Sequence, residues 1–367
     1  MAGFERCVQY TGERKVQLQV DDRPGEAAQR HSFTYGQVFQ PGDEQSTLYQ
    51  YTAAPMVESL LGGFNSAIIA YGQTGSGKTF TMMGDERQPG NRDTQGIMPR
   101  LVGDLFREIR PIQESGVQIS VSASYVELYL ERVRDLLRPV AAGTTTANGF
   151  GCTRREGGFS FSGSTVTAEA LGISGSTTNG INIHDCTHVP VASTAEVMAI
   201  LHQGTSARAT AATNSNAVSS RSHAILVLTI AQRTGRGTKS SQLYCVDLAG
   251  SERQKKTGAD ALRLDEANRI NTSLLALGNV INALAENSRL NKKKKHKGKK
   301  KLAATEGVFV PYRDSKLTRI LQNALGGNSR TVVVCCCSPG PSSARETLST
   351  LRFGDRASSI CNRCVSR

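Results

Sequence analysis

The segment AYGQTGSGKTFTM, residues 70–82, most strongly limits the fold that this chain can adopt. It continues an apolar run and places three glycines within six positions, ahead of a Lys-Thr pair. A buried strand that leads through a glycine-rich turn into a helix directs several backbone N–H groups and the positive end of the helix dipole into one concavity. In the pattern G-x-x-x-x-G-K-[ST], Lys78 contacts the β- and γ-phosphates and the Thr79 hydroxyl binds Mg²⁺. The segment therefore predicts a nucleotide site.

From the composition we expect a soluble intracellular protein. The chain has no run of about 18 apolar residues, and its N-terminal MAGFERCVQY lacks the basic-then-apolar layout of a signal peptide. The nine cysteines are then expected to be reduced thiols, and the triplet at 335–337 continues an apolar run, as a buried strand would. Cys361 and Cys364 form a lone C-x-x-C, which does not predict a metal site.

The positive charge of the chain is concentrated in one segment. The stretch NKKKKHKGKKKL holds eight lysines between Lys292 and Lys301, and subtracting their charges from the net charge of +13 leaves +5. Because no apolar residue interrupts this lysine run, it cannot pack in a core, and like-charge repulsion is expected to keep it extended. A single basic loop favours one localised anionic partner over a nucleic-acid-binding surface.

Strand and helix patterns alternate along the chain. The predicted strands are 117–128, 224–230, 242–248 and 331–337, and the predicted helices are 47–61, 98–110, 195–203 and 265–285. The last helix has one apolar face, formed by Ile270, Leu274, Leu277, Ile281 and Leu284. The alternation predicts an α/β fold with a central mixed, mostly parallel sheet and helices on both faces. Residues 141–180, rich in Gly, Ser and Thr, and residues 291–306 look like surface insertions, so we expect a single domain, 1–367.

Two further segments add groups that phosphoryl transfer requires. In SQLYCVDLAGSER, Asp247 ends an apolar strand and Gly250 follows three residues later. This D-x-x-G spacing allows the carboxylate to act on the Mg²⁺ side while the glycine N–H meets a γ-phosphate. In NAVSSRSH, residues 216–223, the hydroxyls suit a metal shell or a bound water, and the guanidinium suits a carboxylate or phosphate. Taken alone, this second segment is also typical of a polar loop before a strand.

GQTGSGKTFTM, NAVSSRSH and DLAGSER, in this order, resemble the P-loop, switch I and switch II of kinesin motor domains. LDEANRINTSLLALGNVINAL is similar to the long switch II helix, and VPYRDSKLTRILQNALGGNSRT is similar to the microtubule-contacting loop and helix. SYVELYLERVRDLL and TLSTLRFGDRASSI extend the likeness, which spans about residues 30–365. The resemblance implies the P-loop NTPase fold of a kinesin motor, ATP and Mg²⁺ as ligands, and microtubules as the partner.

The resemblance also implies roles for individual residues. The nucleotide would be bound by Gly72, Gln73, Thr74, Gly75, Ser76, Gly77, Lys78, Thr79 and Phe80, and Mg²⁺ by Thr79, Ser220 and Asp247, the last through its water shell. Ser219 would place the attacking water, Gly250 would report the γ-phosphate, and Arg221 and Glu252 would form the ion pair that closes the site and takes part in the proton path. The microtubule, including the acidic tails of tubulin, would be contacted by Lys292, Lys293, Lys294, Lys295, Lys297, Lys299, Lys300, Lys301, Arg313, Lys316 and Arg319. Phe80 is a candidate neighbour of the adenine, with ordinary packing as the alternative.

The chain departs from the kinesin pattern in three places. Kinesin motors usually begin with a strand that ends in R-x-R-P beside the adenine, and none precedes Phe4, so we expect either a shortened motor or a start that lies upstream, with a gap in the sheet. An insertion at about residues 157–180 falls in a loop that faces the microtubule in the family. The lysine run falls where some processive kinesins carry a basic loop.

Three alternatives compete with a motor ATPase. A P-loop GTPase would share the phosphate chemistry, but the chain has no N-K-x-D base-reading motif. A microtubule-binding protein that is insensitive to nucleotide is the second, and a microtubule-depolymerising kinesin, against which VPYRDSKLTRIL argues, is the third. We predict a cytoplasmic, cytoskeletal motor, with plus-end movement by analogy alone and oligomerisation through regions outside this chain. A membrane partner and nucleic acid are not expected, and nuclear entry would follow if the lysine run is a localisation signal.

Overall fold

A computed structural model describes residues 7–20, 29–85, 87–88, 90–138, 150–155, 158–163, 171–176, 180–212, 221–235, 237–252, 261–296 and 307–366. The strands are β1 (Val8–Tyr10), β2 (Lys15–Val20), β3 (Gln29–Thr34), β4 (Ser66–Tyr71), β5 (Gln118–Tyr129), β6 (Arg132–Asp135), β7 (Phe150–Arg155), β8 (Gly158–Gly163), β9 (Ile173–Ser176), β10 (Gly180–Ile183), β11 (Val189–Val191), β12 (His223–Thr234), β13 (Gly237–Asp247) and β14 (Arg330–Cys335). The α-helices are α1 (Gln45–Thr52), α2 (Ala54–Leu61), α3 (Lys78–Met83), α4 (Ile97–Glu114), α5 (Thr194–Ala212), α6 (Ala261–His296), α7 (Lys316–Ile320) and α8 (Ala344–Ser358). Within these described ranges, no helix has both the length and the hydropathy that a bilayer crossing requires.

The central sheet has the strand order β11–β5–β12–β13–β4–β14, with β6 beside β5. Strand β4 pairs in parallel with both β13 and β14. Toward β11 the pairings are antiparallel, and β12 and β13 form one long hairpin that ends at the pair Thr234 and Gly237. The sheet is mixed, as predicted, and its parallel part is the part that carries the glycine-rich loop.

Alternating side chains of the sheet build one apolar core on each face. In β12, Leu226 and Leu228 pack into the core that α1, α2, α4 and α5 cover. Ile225 and Val227, which point the other way, pack into the core that α6, α7 and α8 cover. The predicted covering of both faces by helices is therefore confirmed. The predicted apolar face of α6 is confirmed at four of its five positions, since Leu274, Leu277 and Ile281 are buried in the second core and Leu284 packs against it. The side chain of the fifth, Ile270, lies outside the described part of the chain.

All four predicted helices differ in their bounds from the structure: α4 and α5 are longer than the predicted 98–110 and 195–203, and the other two differ as follows. The predicted helix at 47–61 is broken into α1 and α2, because Pro55, at the start of α2, has no N–H to donate and restricts the residue before it. Helix α6 continues to His296, so residues 292–295 of the lysine run are helical where an extended chain was expected. Lysine is a good helix former, and its positive charge is favourable near a helix C-terminus.

The predicted insertion at 141–180 contains two antiparallel hairpins in its described part. Strands β7 and β8 pair with each other, and β9 pairs with β10. The segment with the second hairpin differs from the surface segment that its composition indicated, because Leu171 is buried in the second core and Ile173 packs against that core, with α7 as the neighbouring helix. Its small polar residues concealed these two anchors.

The pairing of strand β14 and of the first three strands shows whether the described residues include the expected N-terminal strand. Strand β14 pairs with β4, and no strand lies along its other edge in the described part of the chain. The first strands, β1 to β3, form a separate antiparallel sheet that packs on α8 through Leu18 and Leu351. The strand ending in R-x-R-P therefore has no counterpart among the described residues.

Candidate functional site

The glycine-rich loop, residues 72–79 and called the P-loop below, joins the buried strand β4 to helix α3. Gly72 has a φ of +153°, and a Cβ placed on it would lie 2.1 Å from the carbonyl oxygen of Cys336, so a side chain does not fit there. Gly77 caps α3 in the left-handed region, with a φ of +96°. The loop thus has the backbone path that the sequence predicted, and it opens a helix N-terminus.

Lys78 is folded back over the P-loop. Its Nζ donates to the carbonyl oxygens of Gly72, at 2.9 Å, and Gln73, at 2.8 Å. Burial lowers the pKa of Lys78, and the nearby carboxylates of Asp247 and Glu252 oppose that shift. The cation is therefore held inside the loop, at the centre of the predicted phosphate site.

Thr79 and Asp247 meet as a metal-binding pair would. Residues 247 and 70 are partners in the parallel register of β13 and β4, which brings the end of β13 beside the P-loop. The Thr79 hydroxyl donates to Asp247 Oδ2 at 2.7 Å, and Asp247 Oδ1 is buried with no hydrogen-bond partner among the described residues. Burial raises the pKa of Asp247, and the hydrogen bond from Thr79 opposes it. A hydroxyl beside a carboxylate oxygen that lacks a partner fits the hard oxygen ligands that Mg²⁺ prefers. Ser219 and Ser220 lie outside the described residues.

Switch II lies directly against the P-loop. Glu252 accepts hydrogen bonds from Thr74, 2.8 Å from its N and 2.5 Å from its Oγ1. The Ser251 N–H donates to the carbonyl oxygen of Gly72 at 3.0 Å. A Cβ on Gly250 would lie 2.3 Å from Thr74 Oγ1 and 2.4 Å from Glu252 Oε2, so only glycine leaves room for this contact. The contact of Glu252 with Thr74 was not predicted from the sequence, and the ion pair of Glu252 with Arg221 stays a prediction.

His223 joins switch II to helix α6. Its ring, 2% exposed, accepts the Ala249 N–H at Nδ1, 3.0 Å away, and lies 2.8 Å from Ser273 Oγ through Nε2. Because Nδ1 accepts, the neutral ring carries its proton on Nε2 and donates to Ser273. Burial lowers the pKa of His223 to about 3, and the charges of Arg208 and Lys78 act in the same direction. This residue was not predicted from the sequence, although a histidine that opens the apolar strand HAILVLTI was a visible signal.

A buried ion pair anchors the end of switch I. Arg208 on α5 donates from Nη2 to the carbonyl oxygen and the hydroxyl of Ser222, at 3.3 and 3.2 Å. Its Nε lies 3.5 Å from Oε1 of Glu127 on β5, whose other oxygen is 3.7 Å from Nη1 of Arg134. The segment that follows Arg221 is therefore fixed to both α5 and β5. This cluster, too, was missed by the sequence analysis.

The buried His223 makes a testable contribution to stability. The unfolded chain binds a proton at this ring below about pH 6.5, whereas the folded protein excludes it until about pH 3. The contribution of this group to the free energy of unfolding is therefore complete above about pH 6.5 and is lost progressively as pH falls from about 6.5 to about 3. We expect the excess stability of the parent over His223→Gln to shrink by about 2 kcal/mol between pH 7.5 and pH 5. Urea unfolding at both pH values measures it, and every other titrating group is common to the two proteins. His202→Gln, at an exposed position of α5, is the control, and a parent-to-variant difference that does not change with pH would contradict the assignment.

Four of the predicted basic contact residues have described side chains, and these four fall into two groups. Lys292 and Arg313 are exposed. Lys316 and Arg319 are half-buried and hold the β9–β10 hairpin, since Lys316 Nζ donates to the carbonyl oxygen of Leu171 at 3.4 Å and Arg319 donates to that of Gly175. Of the remaining lysines, 293–295 lie in the last turn of α6, and 297 and 299–301 lie outside the described residues.

Two exposed aromatic residues, Phe309 and Phe80, lie close in the sequence to Arg313 and to the P-loop, respectively. Phe309 is 80% exposed, and the neighbouring Val308 is held by Asn287, whose Oδ1 accepts the Val308 N–H at 2.7 Å and whose Nδ2 donates to the Val308 carbonyl oxygen at 2.9 Å. A large apolar side chain is thus exposed to solvent four residues before Arg313, and no sequence motif pointed to it. Phe80, next to the P-loop, is 49% exposed, so core packing does not account for it, and its place beside the adenine stays a prediction.

The chain is similar to kinesins over most of its length. The family model described as the kinesin motor domain matches residues 2–360. The kinesin heavy chain of Neurospora crassa is 42% identical over 335 residues, which are 90% of this chain and 31% of that protein. The chromosome-associated kinesin KIF4 of Xenopus laevis is 41% identical over 339 residues, which are 91% of this chain and 24% of that protein. A solved structure, titled "Structure of a fast kinesin: Implications for ATPase mechanism and interactions with microtubules", superposes with a TM-score of 0.78 at 38% identity and covers 100% of this chain and 89% of its own. The chain thus spans less than a third of the length of these two curated relatives.

Proposed function

The chain belongs to the kinesin motor-domain family, and from this premise we propose that it is a microtubule-dependent ATPase that converts ATP hydrolysis into movement along microtubules. One observation carries the proposal: the Thr79 hydroxyl and the Asp247 carboxylate are 2.7 Å apart beside the buried Lys78. A cation, a hydroxyl and a carboxylate at the mouth of a glycine-rich loop are the groups that hold a nucleoside triphosphate with Mg²⁺.

The residues would share the chemistry as follows. Lys78 and the P-loop N–H groups bind the phosphates, and Thr79, Ser220 and Asp247 hold Mg²⁺, which when bound supplies positive charge to the phosphoryl oxygens. Ser219 positions the attacking water, and Gly250 senses the γ-phosphate. Arg221 and Glu252 close the site and move its proton.

The same arrangement offers a route from the nucleotide to the track. The Ala249 N–H, adjacent to Gly250, is bonded to His223, and the other ring nitrogen of His223 contacts Ser273 of α6. A displacement of Gly250 by γ-phosphate contacts would therefore act on α6 through this ring. Because a ligand shifts a conformation only through contacts that differ between the two states, the γ-phosphate contacts of switch II are the required difference.

The binding surface for the microtubule combines charge with an apolar side chain. The lysine run and Arg313 supply positive charge for an acidic track, and Phe309 supplies a short-range apolar contact. We place the protein on the microtubule cytoskeleton of the cytoplasm, and entry into the nucleus would require that the lysine run is read as a localisation signal.

Microtubule-stimulated ATP turnover tests the proposal. The purified chain should hydrolyse ATP slowly alone and much faster with stabilised microtubules, and surface-attached protein should move microtubules. Unstimulated turnover together with binding that ignores nucleotide would favour a nucleotide-insensitive microtubule-binding protein. Shortening of stabilised microtubules would favour a depolymerising kinesin. Polarity-marked microtubules in the same assay report the direction of movement.

The lysine run makes a separate prediction. Its charges are expected to act over long range, so they should mainly raise the association rate and lose effect as the Debye length falls from about 10 Å at 0.1 M salt to about 3 Å at 1 M. Replacing the eight lysines by serine or glycine should raise the microtubule concentration for half-maximal ATPase at low salt and leave maximal turnover almost unchanged. Replacement by arginine, which keeps the charge, is the matched control.

The acidic tails of tubulin are the proposed anionic partner of this run. Microtubules from which protease has removed the tails should reproduce the defect in the parent and add none to the serine variant. A further loss of affinity in that variant on tail-free microtubules would mean that the run contacts the tubulin body or acts through the fold.

A further inference from the structure

The carboxylate of Glu252 occupies donors of the P-loop. It accepts both the Thr74 N–H and the Thr74 hydroxyl, at 2.8 and 2.5 Å, and these two contacts join segments that are 178 residues apart in the sequence. Backbone N–H groups of such a loop are the donors that phosphate oxygens use. A carboxylate is also an anion with two acceptor oxygens, so Glu252 and a phosphate oxygen compete for the Thr74 N–H.

Neighbouring residues favour the contact between Glu252 and Thr74. Gly250 has no Cβ, and one placed there would lie 2.3 Å from Thr74 Oγ1 and 2.6 Å from Glu252 Oε1. The hydrogen bond from the Ser251 N–H to the Gly72 carbonyl oxygen holds switch II against the start of the loop. The positive charge of Lys78 lies close enough to interact with the Glu252 carboxylate. Backbone, side chain and charge therefore all favour Glu252 at this position.

We propose that Thr74 is a positioning residue that holds Glu252 on the P-loop until the terminal phosphate of the nucleotide displaces it. This inference rests on the proposed ATPase function and adds a regulatory step to it. Glu252 has a resting position on Thr74 and a working position beside Arg221, and the phosphate drives the exchange by taking the Thr74 N–H. The Thr74 hydroxyl sets the strength of the resting contact, because it donates the second hydrogen bond to the carboxylate.

A binding measurement without turnover tests this inference. The probe is the non-hydrolysable analogue AMP-PNP with Mg²⁺, titrated into nucleotide-depleted protein in the absence of microtubules. Thr74→Val keeps the shape of the side chain and removes the hydroxyl, and Thr74→Ser keeps the hydroxyl. Because a hydrogen bond to a charged group is lost, Thr74→Val should bind the analogue about tenfold more tightly than the parent. Thr74→Ser should bind it within about twofold of the parent, since the donor is retained.

A double-mutant cycle with Glu252→Ala separates this effect from direct phosphate binding. In the Glu252→Ala background, Thr74→Val should change the affinity by less than about twofold, because the carboxylate that the hydroxyl holds is gone. As an independent reading without nucleotide, Glu252→Ala should speed the hydrogen exchange of the Thr74 amide. Thermal unfolding reports whether each variant folds, and Thr74→Ala replaces Thr74→Val if the latter does not.

Three results would overturn the inference. A loss of affinity on Thr74→Val in both backgrounds would make Thr74 a phosphate ligand only. Equal affinity of parent and Thr74→Val would mean that the hydroxyl does not hold Glu252 against the nucleotide. A parent that binds neither AMP-PNP nor ADP would overturn the proposed ATPase function together with the inference, and is distinguished from the other two results by the parent titration alone.

Discussion

Replacing Glu252 or Arg221 by alanine is expected to lower microtubule-stimulated ATP turnover by about 10²- to 10³-fold without weakening nucleotide binding. Under the proposed mechanism, each substitution removes a group that acts as the γ-phosphate is transferred, and neither replaces a residue of the P-loop. For Glu252→Ala the affinity should even rise, because the carboxylate no longer occupies the Thr74 N–H. A fall in maximal turnover at unchanged or tighter nucleotide binding is thus the expected signature.

Steady-state ATPase rates and fluorescent-nucleotide titrations measure these two quantities separately. Arg107→Ala and Glu108→Ala, which remove the same charges from an exposed pair on α4, are the matched controls and should retain turnover within about twofold, as is usual for surface substitutions. Turnover of Glu252→Ala or Arg221→Ala within a few-fold of the parent would show that switch I and switch II do not act as proposed.

Replacing Lys78 by alanine is expected to weaken the binding of Mg²⁺·ATP by about 10- to 100-fold, because the variant loses the buried cation that we propose to bond phosphate oxygens. Lys78→Ala is expected to lower the nucleotide affinity as well as the turnover, whereas the alanine variants of Arg221 and Glu252 are expected to lower the turnover alone. Lys78 also donates to the carbonyl oxygens of Gly72 and Gln73, so some loss of stability without nucleotide is expected.

Calorimetric titration with Mg²⁺·ATP analogue, together with thermal unfolding of the nucleotide-free protein, distinguishes lost binding from lost folding. Lys239→Ala removes an equal charge from an exposed position in the β12–β13 hairpin and is the control. Unchanged affinity in a folded Lys78→Ala variant would mean that the glycine-rich loop does not bind phosphate, and would contradict the proposed function at its first step.

The features that a single segment encodes were predictable from the residues alone. The glycine spacing of the P-loop requires a tight turn into a helix, because Gly72 and Gly77 adopt backbone angles that other residues avoid. The period of apolar residues in α6 required one buried face, and Leu274, Leu277 and Ile281 form it. Motif order was sufficient to identify the kinesin family, since the P-loop, switch I and switch II each carry a local signal.

Tertiary structure alone decided which distant groups meet. The register of β13 against β4 brings Asp247 to Thr79, and the placement of switch II brings Glu252 to Thr74. Composition indicated a surface insertion at 141–180, and the resemblance implied that Arg319 contacts the microtubule, yet Arg319 donates to the carbonyl oxygen of Gly175 in the hairpin of this insertion. Sequence patterns report the backbone path and the buried face of each element, because those depend on neighbouring residues. Hydrogen-bond partners depend on how elements pack, and packing is settled only when the whole sheet and both helical layers are assembled.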